Sequence, residues 1–140
     1  MNSEFLSHIN WLAVLVATVA YFLLGALWYS VLFGKKWAQL VKLDTSNPEL
    51  KKGMSGMMIS TFVLILIVCF GLEILIIKLG FAQEISYGIK LGLLTGLAFA
   101  TTAVSIHYVY ENKPSNLYLI NNGYHLIGHI IAASILVLWR

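Results

Sequence analysis

The chain has 140 residues, 59% of them hydrophobic and 11% charged, with a mean hydropathy of +0.83. A single soluble domain of this length could not hide so much apolar surface, so the composition excludes a water-soluble globule and makes lipid the solvent. Nine basic residues stand against six acidic ones, and most of the excess sits in one connector. That leaves no basic face for nucleic acid and points to a membrane surface.

Residues 1–8 carry Glu4 and no lysine or arginine, unlike the basic start of a secretory signal peptide. The apolar run 9–33 that follows is about 37 Å long as a helix, enough to span a bilayer and stay there. Trp11 and Trp28 lie about 25 Å apart along that helix, the separation of two aromatic belts around the hydrocarbon. Asn10, Ala17, Thr18, Tyr21, Gly25 and Trp28 form a small or polar stripe expected to face protein. Leu12, Val16, Leu23 and Leu27 offer plain bulk to lipid.

The connector 34–56 holds Lys35, Lys36, Lys42, Lys51 and Lys52 against Asp44 and Glu49. Residues 36–43 alternate apolar and basic in the manner of a short interfacial helix. Asn47 and Pro48 read as the N-cap and first position of the next helix. A second span is expected over 57–79 and a third over 86–108. Glu73 and Lys90 lie equally far from the turn near Phe81, so an antiparallel hairpin would set them at one depth as an ion pair. Cys69, alone in an apolar run, reads as a small buried hydrophobe.

The third span carries Gly88, Gly92, Gly96 and Ala100 at a spacing of four, the pattern that lets helix backbones approach closely. That stripe suits either another helix of the chain or a second copy of it, as a homo-oligomer seam. After a polar turn with Glu111, Lys113 and Pro114, a fourth span is expected over 117–139, with Asn122, His125, His129 and Ala132 on one face. The whole is an all-α, single-domain bundle of four transmembrane helices covering residues 1–140. Lys35, Lys36, Lys42, Lys51, Lys52 and Lys113 lie on one side against Lys78, Lys90 and Arg140 on the other, which puts both termini outside the cytoplasm.

Few residues carry chemistry. Glu73 is either a proton or cation ligand facing a wet cavity or the partner of Lys90, because a carboxylate near the hydrocarbon is costly unless something offsets it. His125 and His129 have the four-residue spacing of helical metal ligands, but no third ligand converges on them. The reading preferred for them is hydrogen bonding to Thr, Tyr or backbone of neighbouring helices, with a proton relay or a metal site as the alternatives, and Thr101 and Thr102 lie near the level of His125. Tyr21, Trp28 and Tyr29 make packing and belt anchors or line a groove for a lipid or quinone. No phosphate loop, dinucleotide motif or nucleophile with its base is present, so no catalytic residue and no cofactor is assigned, and an enzyme is not the expectation.

Asn10 and Trp11, followed by Gly25-Ala-Leu-Trp-Tyr-Ser-Val-Leu-Phe-Gly-Lys-Lys-Trp37, resemble the uncharacterised bacterial membrane family known as domain of unknown function 1761. The resemblance runs over the whole chain, and its most specific part is the first helix. It implies four spans in a small bacterial inner-membrane protein and brings no activity, substrate or catalytic residues. Three functions remain open: a non-enzymatic membrane protein that acts by packing and association, an oligomeric channel or transporter lined by Glu73, Thr102, His125 and His129, and a lipid- or quinone-binding protein.

Overall fold

The computed structural model describes residues 7–44, 46–48 and 50–139, with backbone alone at 50–52. The first span, Trp11–Leu32, is helix α1 (Trp11–Leu27) closed by a wide, π-type turn over Trp28–Leu32. Asn10 caps it: its side-chain oxygen accepts from the Ala13 N–H at 3.0 Å, satisfying one of the donors a helix start leaves open. Gly34 must follow the wide turn, because a Cβ there would come within 2.7 Å of the Tyr29 carbonyl oxygen. From it runs the short helix α2 (Gly34–Leu40), in the place of the expected interfacial segment.

Helix α3 (Leu50–Leu79) contains the second span, Gly53–Leu79, and begins before the apolar run does. Its cap position falls on residue 49, outside the described residues, so Asn47 and Pro48 precede the helix rather than open it. In the connector the Asp44 carboxylate accepts from the Ser46 N–H at 3.0 Å and the Ser46 hydroxyl at 2.6 Å. These bonds hold its carboxyl below the usual range. Gly80, at φ +63°, ends α3 in the left-handed conformation that glycine adopts without penalty.

The third span, Ile85–Tyr110, is helix α4 (Ile85–Thr95), a second wide turn over Gly96–Thr101, and helix α5 (Thr102–Tyr110). The fourth is helix α6 (Ser115–Leu138). No strand occurs among the described residues, and the four spans fit an all-α membrane protein.

Helix α6 packs against each of the other three spans. On one side it meets the third span. A Cβ on Gly88 would lie 2.6 Å from the Cα of Ser134, one on Gly92 would run into the backbone of Ile130, and one on Gly96 would lie 2.9 Å from the Leu126 side chain. Each four-residue step along α4 is matched by one backward along α6, so the glycine stripe is filled by the chain's own fourth span. On the other side α6 takes aromatic rings from the first span. The Tyr21 ring fills the space a Cβ on Gly128 would need, and a Cβ on Gly123 would lie 3.1 Å from the Trp28 ring, whose indole N–H donates to the Ile120 carbonyl at 2.9 Å. In return Tyr124 of α6 lies 3.0 Å from the Cβ position of Gly25.

The second span joins this pair through Ile65, Cys69, Leu72 and Ile76, all buried, with Trp11 stacked on Phe70 at 5.7 Å. Although only the turn 80–84 links them, the second and third spans do not pack along their length. The expected hairpin is therefore corrected. Small residues decide which backbones approach in lipid, and the small residues of the third span face α6 rather than α3.

Replacing Gly92 by Ala forces a methyl into the Ile130 backbone and should cost about 1–3 kcal/mol. Gly71→Ala, where a Cβ meets nothing within 4 Å, should leave thermal stability in detergent close to the parent. Equal melting shifts for the two would mean that α4 and α6 are not in close contact.

Candidate functional site

Polar side chains inside the bundle fall at three depths. At the end where the first span begins, Glu73 is 1% exposed and accepts the Asn10 backbone N–H at 3.2 Å. The Asn10 amide donates to the Trp139 carbonyl at 2.8 Å. One asparagine thus ties the start of the first span to the ends of the second and fourth. Lys90 is not the partner of Glu73: it is exposed, with its ammonium 5.7 Å from the Tyr87 ring centroid. Equal depth fixed only their height, and the third span carries Lys90 away on its outer face.

At mid-depth the two histidines take separate partners. The Thr95 hydroxyl donates to the Leu91 carbonyl at 2.8 Å, so its oxygen is left to accept from His129 Nδ1 at 3.0 Å. His125 Nδ1 lies 3.1 Å from the Tyr21 hydroxyl, which also lies within 3.4 Å of the His125 carbonyl oxygen. Among the described residues no group of three His, Cys, Asp or Glu is placed to hold a metal. Thr102 is exposed and spends its hydroxyl on the Ala98 carbonyl at 2.7 Å, so it joins neither histidine.

At the opposite end from Glu73 the second and third spans diverge and leave a cleft of about 710 Å³. That is within the roughly 300–1,000 Å³ of small-molecule sites. Its floor is the first and fourth spans and its walls are the second and third. Phe22, Thr61, Val104 and His125 line the deep part, and Met54, Tyr29, Trp37, Tyr108 and Asn121 line the part near the connector. From Ser30 to Phe22 the cleft runs about 12 Å along the first span. Met54, Met57 and Met58 give the second-span wall a flexible apolar surface that adapts to an occupant.

Across the shallow part runs a row of polar groups from three spans. The Tyr29 hydroxyl donates to Asn121 Oδ1 at 2.7 Å, and Asn121 Nδ2 donates to the Tyr108 hydroxyl oxygen. The Tyr108 oxygen is therefore occupied as an acceptor while its proton is directed away from Asn121. Of the aromatic trio expected to form a groove, Tyr29 lines the cleft, whereas Tyr21 and Trp28 are buried in the contact with α6. Sequence reasoning missed Tyr108, Asn121 and Trp37. Asn121 beside Asn122 inside an apolar span was the available signal, as were methionines at 54, 57 and 58 on one helical face.

Residues 12–137 match the family described as protein of unknown function, DUF1761. The chain belongs to this family. No curated protein and no solved structure matches it. Membership of DUF1761 carries no chemistry, so the geometry above is what bears on function.

A double-mutant cycle tests the outer end. Lys90→Met should change stability by no more than about 0.5 kcal/mol, as surface substitutions do. Glu73→Ala leaves the Asn10 N–H buried without this acceptor and should cost about 1–3 kcal/mol. The combined variant should equal the sum. A coupling above about 0.5 kcal/mol would restore the ion pair.

Proposed function

We propose that the protein is a non-enzymatic integral membrane protein that binds an amphiphile drawn from the bilayer. The observation that carries this reading is the cleft itself: apolar in depth, crossed near the connector by the Tyr29–Asn121–Tyr108 row, and open between two spans that do not pack together. An apolar chain would lie along the deep part, and a polar head would meet the row at the level where the helices leave the hydrocarbon. Lipid- and quinone-like molecules have this division, and the Tyr108 proton suits a head with an oxygen acceptor.

A channel is less well supported. The polar groups at the Asn10 end are separated from the cleft by Ala13, Ala17 and Cys69, each 0% exposed, a packed apolar layer between the two ends of a single chain. Function through homo-oligomer association loses its best feature, since Gly88, Gly92 and Gly96 are occupied by α6. The setting we propose is the bacterial cytoplasmic membrane, with the connector 34–56 inside and both termini outside. The lysines of that connector support this orientation.

Gentle purification followed by solvent extraction and native mass measurement should find about one amphiphile per chain. Ala26→Phe combined with Met58→Trp fills the cleft from two walls and should abolish that retention with little change in stability. Equal retention by the filled variant would move the bound lipid to the outer surface and remove the reading.

Orientation is checked separately by Ser46→Cys in a Cys69→Ala background. An impermeant thiol reagent should fail to label it in intact cells and label it after lysis. Labelling of intact cells would invert the topology.

A further inference from the structure

The cleft does not end at the polar row. A second cavity of about 510 Å³ adjoins it, shares Tyr29, Ser30 and Trp37 with it, and continues along α2 past Lys35 and Gln39. Trp37 stands at the junction, its ring packed edge-on against Tyr29 at 5.4 Å. The two cavities thus meet at three shared residues, the first an apolar arm in the bundle and the second a polar arm along α2.

We propose that the polar arm receives an anionic head, so that the ligand class is an amphiphile ending in a carboxylate or phosphate. This rests on the reading of the cleft as an amphiphile site. Three observations select the charge. Among the described residues Lys35 is the one lysine or arginine that lines either arm, and no carboxylate does. No carboxylate of the described residues pairs with Lys35; Asp44 of the same connector is engaged by Ser46.

The remaining polar groups are nearly all spent. Ser30 donates its hydroxyl to the Ala26 carbonyl and Tyr29 donates to Asn121, which leaves the Lys35 ammonium, the Gln39 amide and the Trp37 indole N–H as side-chain donors along this arm. Three donors, one of them charged, and no acid among the described lining residues make a site that favours an anion over a neutral head, because a charge-assisted hydrogen bond is roughly twice as strong as a neutral one. The apolar arm then fixes the orientation, and a free inorganic anion would gain nothing from it.

The experiment uses the full chain in zwitterionic nanodiscs and follows quenching of tryptophan fluorescence by a long-chain fatty acid brominated on its chain. The methyl ester of the same acid supplies a neutral head, and the Trp37→Phe protein assigns the quenching to the junction. At a pH where the carboxyl is ionised, the acid should saturate Trp37 quenching at about a tenfold lower mole fraction than the ester. Lys35→Gln should remove that preference while leaving the ester curve in place, which also reports that the variant is folded. Lys36→Gln, one residue away and outside both arms, should keep it.

A brominated phosphatidate run alongside distinguishes a phosphate head from a carboxylate by which saturates first. Equal saturation by acid and ester, or an equal loss of preference in the Lys35 and Lys36 variants, overturns the anionic head and leaves the cleft reading standing. Absence of saturable quenching by every amphiphile overturns both.

Discussion

A helix in hydrocarbon gains little by exchanging lipid contacts for contacts with another apolar helix, so the close approach of backbones and the hydrogen bonds it permits decide the arrangement. Here that approach is concentrated on α6. Gly88, Gly92 and Gly96 let the third span lie against its backbone, while its own Gly123 and Gly128 admit the rings of Trp28 and Tyr21 from the first span. With two sides committed, α6 becomes the most buried of the four spans. The second span reaches it mainly by way of α1. Because the second span is held mainly by the first and the third by α6, and neither by the other, the gap between them is left to the bilayer, and the cleft opens from it.

The polar inventory follows the same geometry. Thr18, Ser30, Thr61, Thr95, Thr101 and Thr102 all donate to carbonyls one turn back in their own helices. Such bonds satisfy a hydroxyl in lipid without committing it to a partner helix. The bonds that cross between spans are fewer and sit at distinct depths. The Asn10 and Glu73 bonds seal one end, and the two histidines bind neighbouring hydroxyls at mid-depth. The Tyr29, Asn121 and Tyr108 row, drawn from three spans, borders the cleft near its connector end, which is why the functional reading settles there and not on the more conspicuous carboxylate.

The sequence made legible those features that depend on one helix alone. Span lengths, the buried stripe of the first helix and the close-packing glycines can each be read from spacing, because period and residue size determine them. Pairing between spans could not be read this way. Glu73 and Lys90 share a depth, but depth says nothing of the direction in which a side chain leaves its helix, and the two point to different neighbours. The cleft was hidden for a related reason: its walls come from four helices, and Tyr29, Thr61, Tyr108 and Asn121 have no common spacing. Tyr29 was singled out for its neighbours in the chain, whereas Asn121 matters for its neighbours in space.

The cleft also depends on a local departure from the α-helix that no periodic reading anticipates. In an unbroken helix Tyr108, twelve residues beyond Gly96, would be rotated about 120° from the glycine stripe and would face away from α6. The wide turn over Gly96–Thr101 accommodates one extra residue, which reduces the offset to about 20° and returns Tyr108 to the α6 side, within reach of Asn121. Val104 is carried back onto the cleft wall by the same shift. Carbonyls loosened by the turn are taken up by the adjacent hydroxyls of Thr101 and Thr102, which bond to Leu97, Ala98 and Phe99. That pair of threonines, whose position suggested a link to the histidines, instead satisfies the distortion that aims the third span at the polar row.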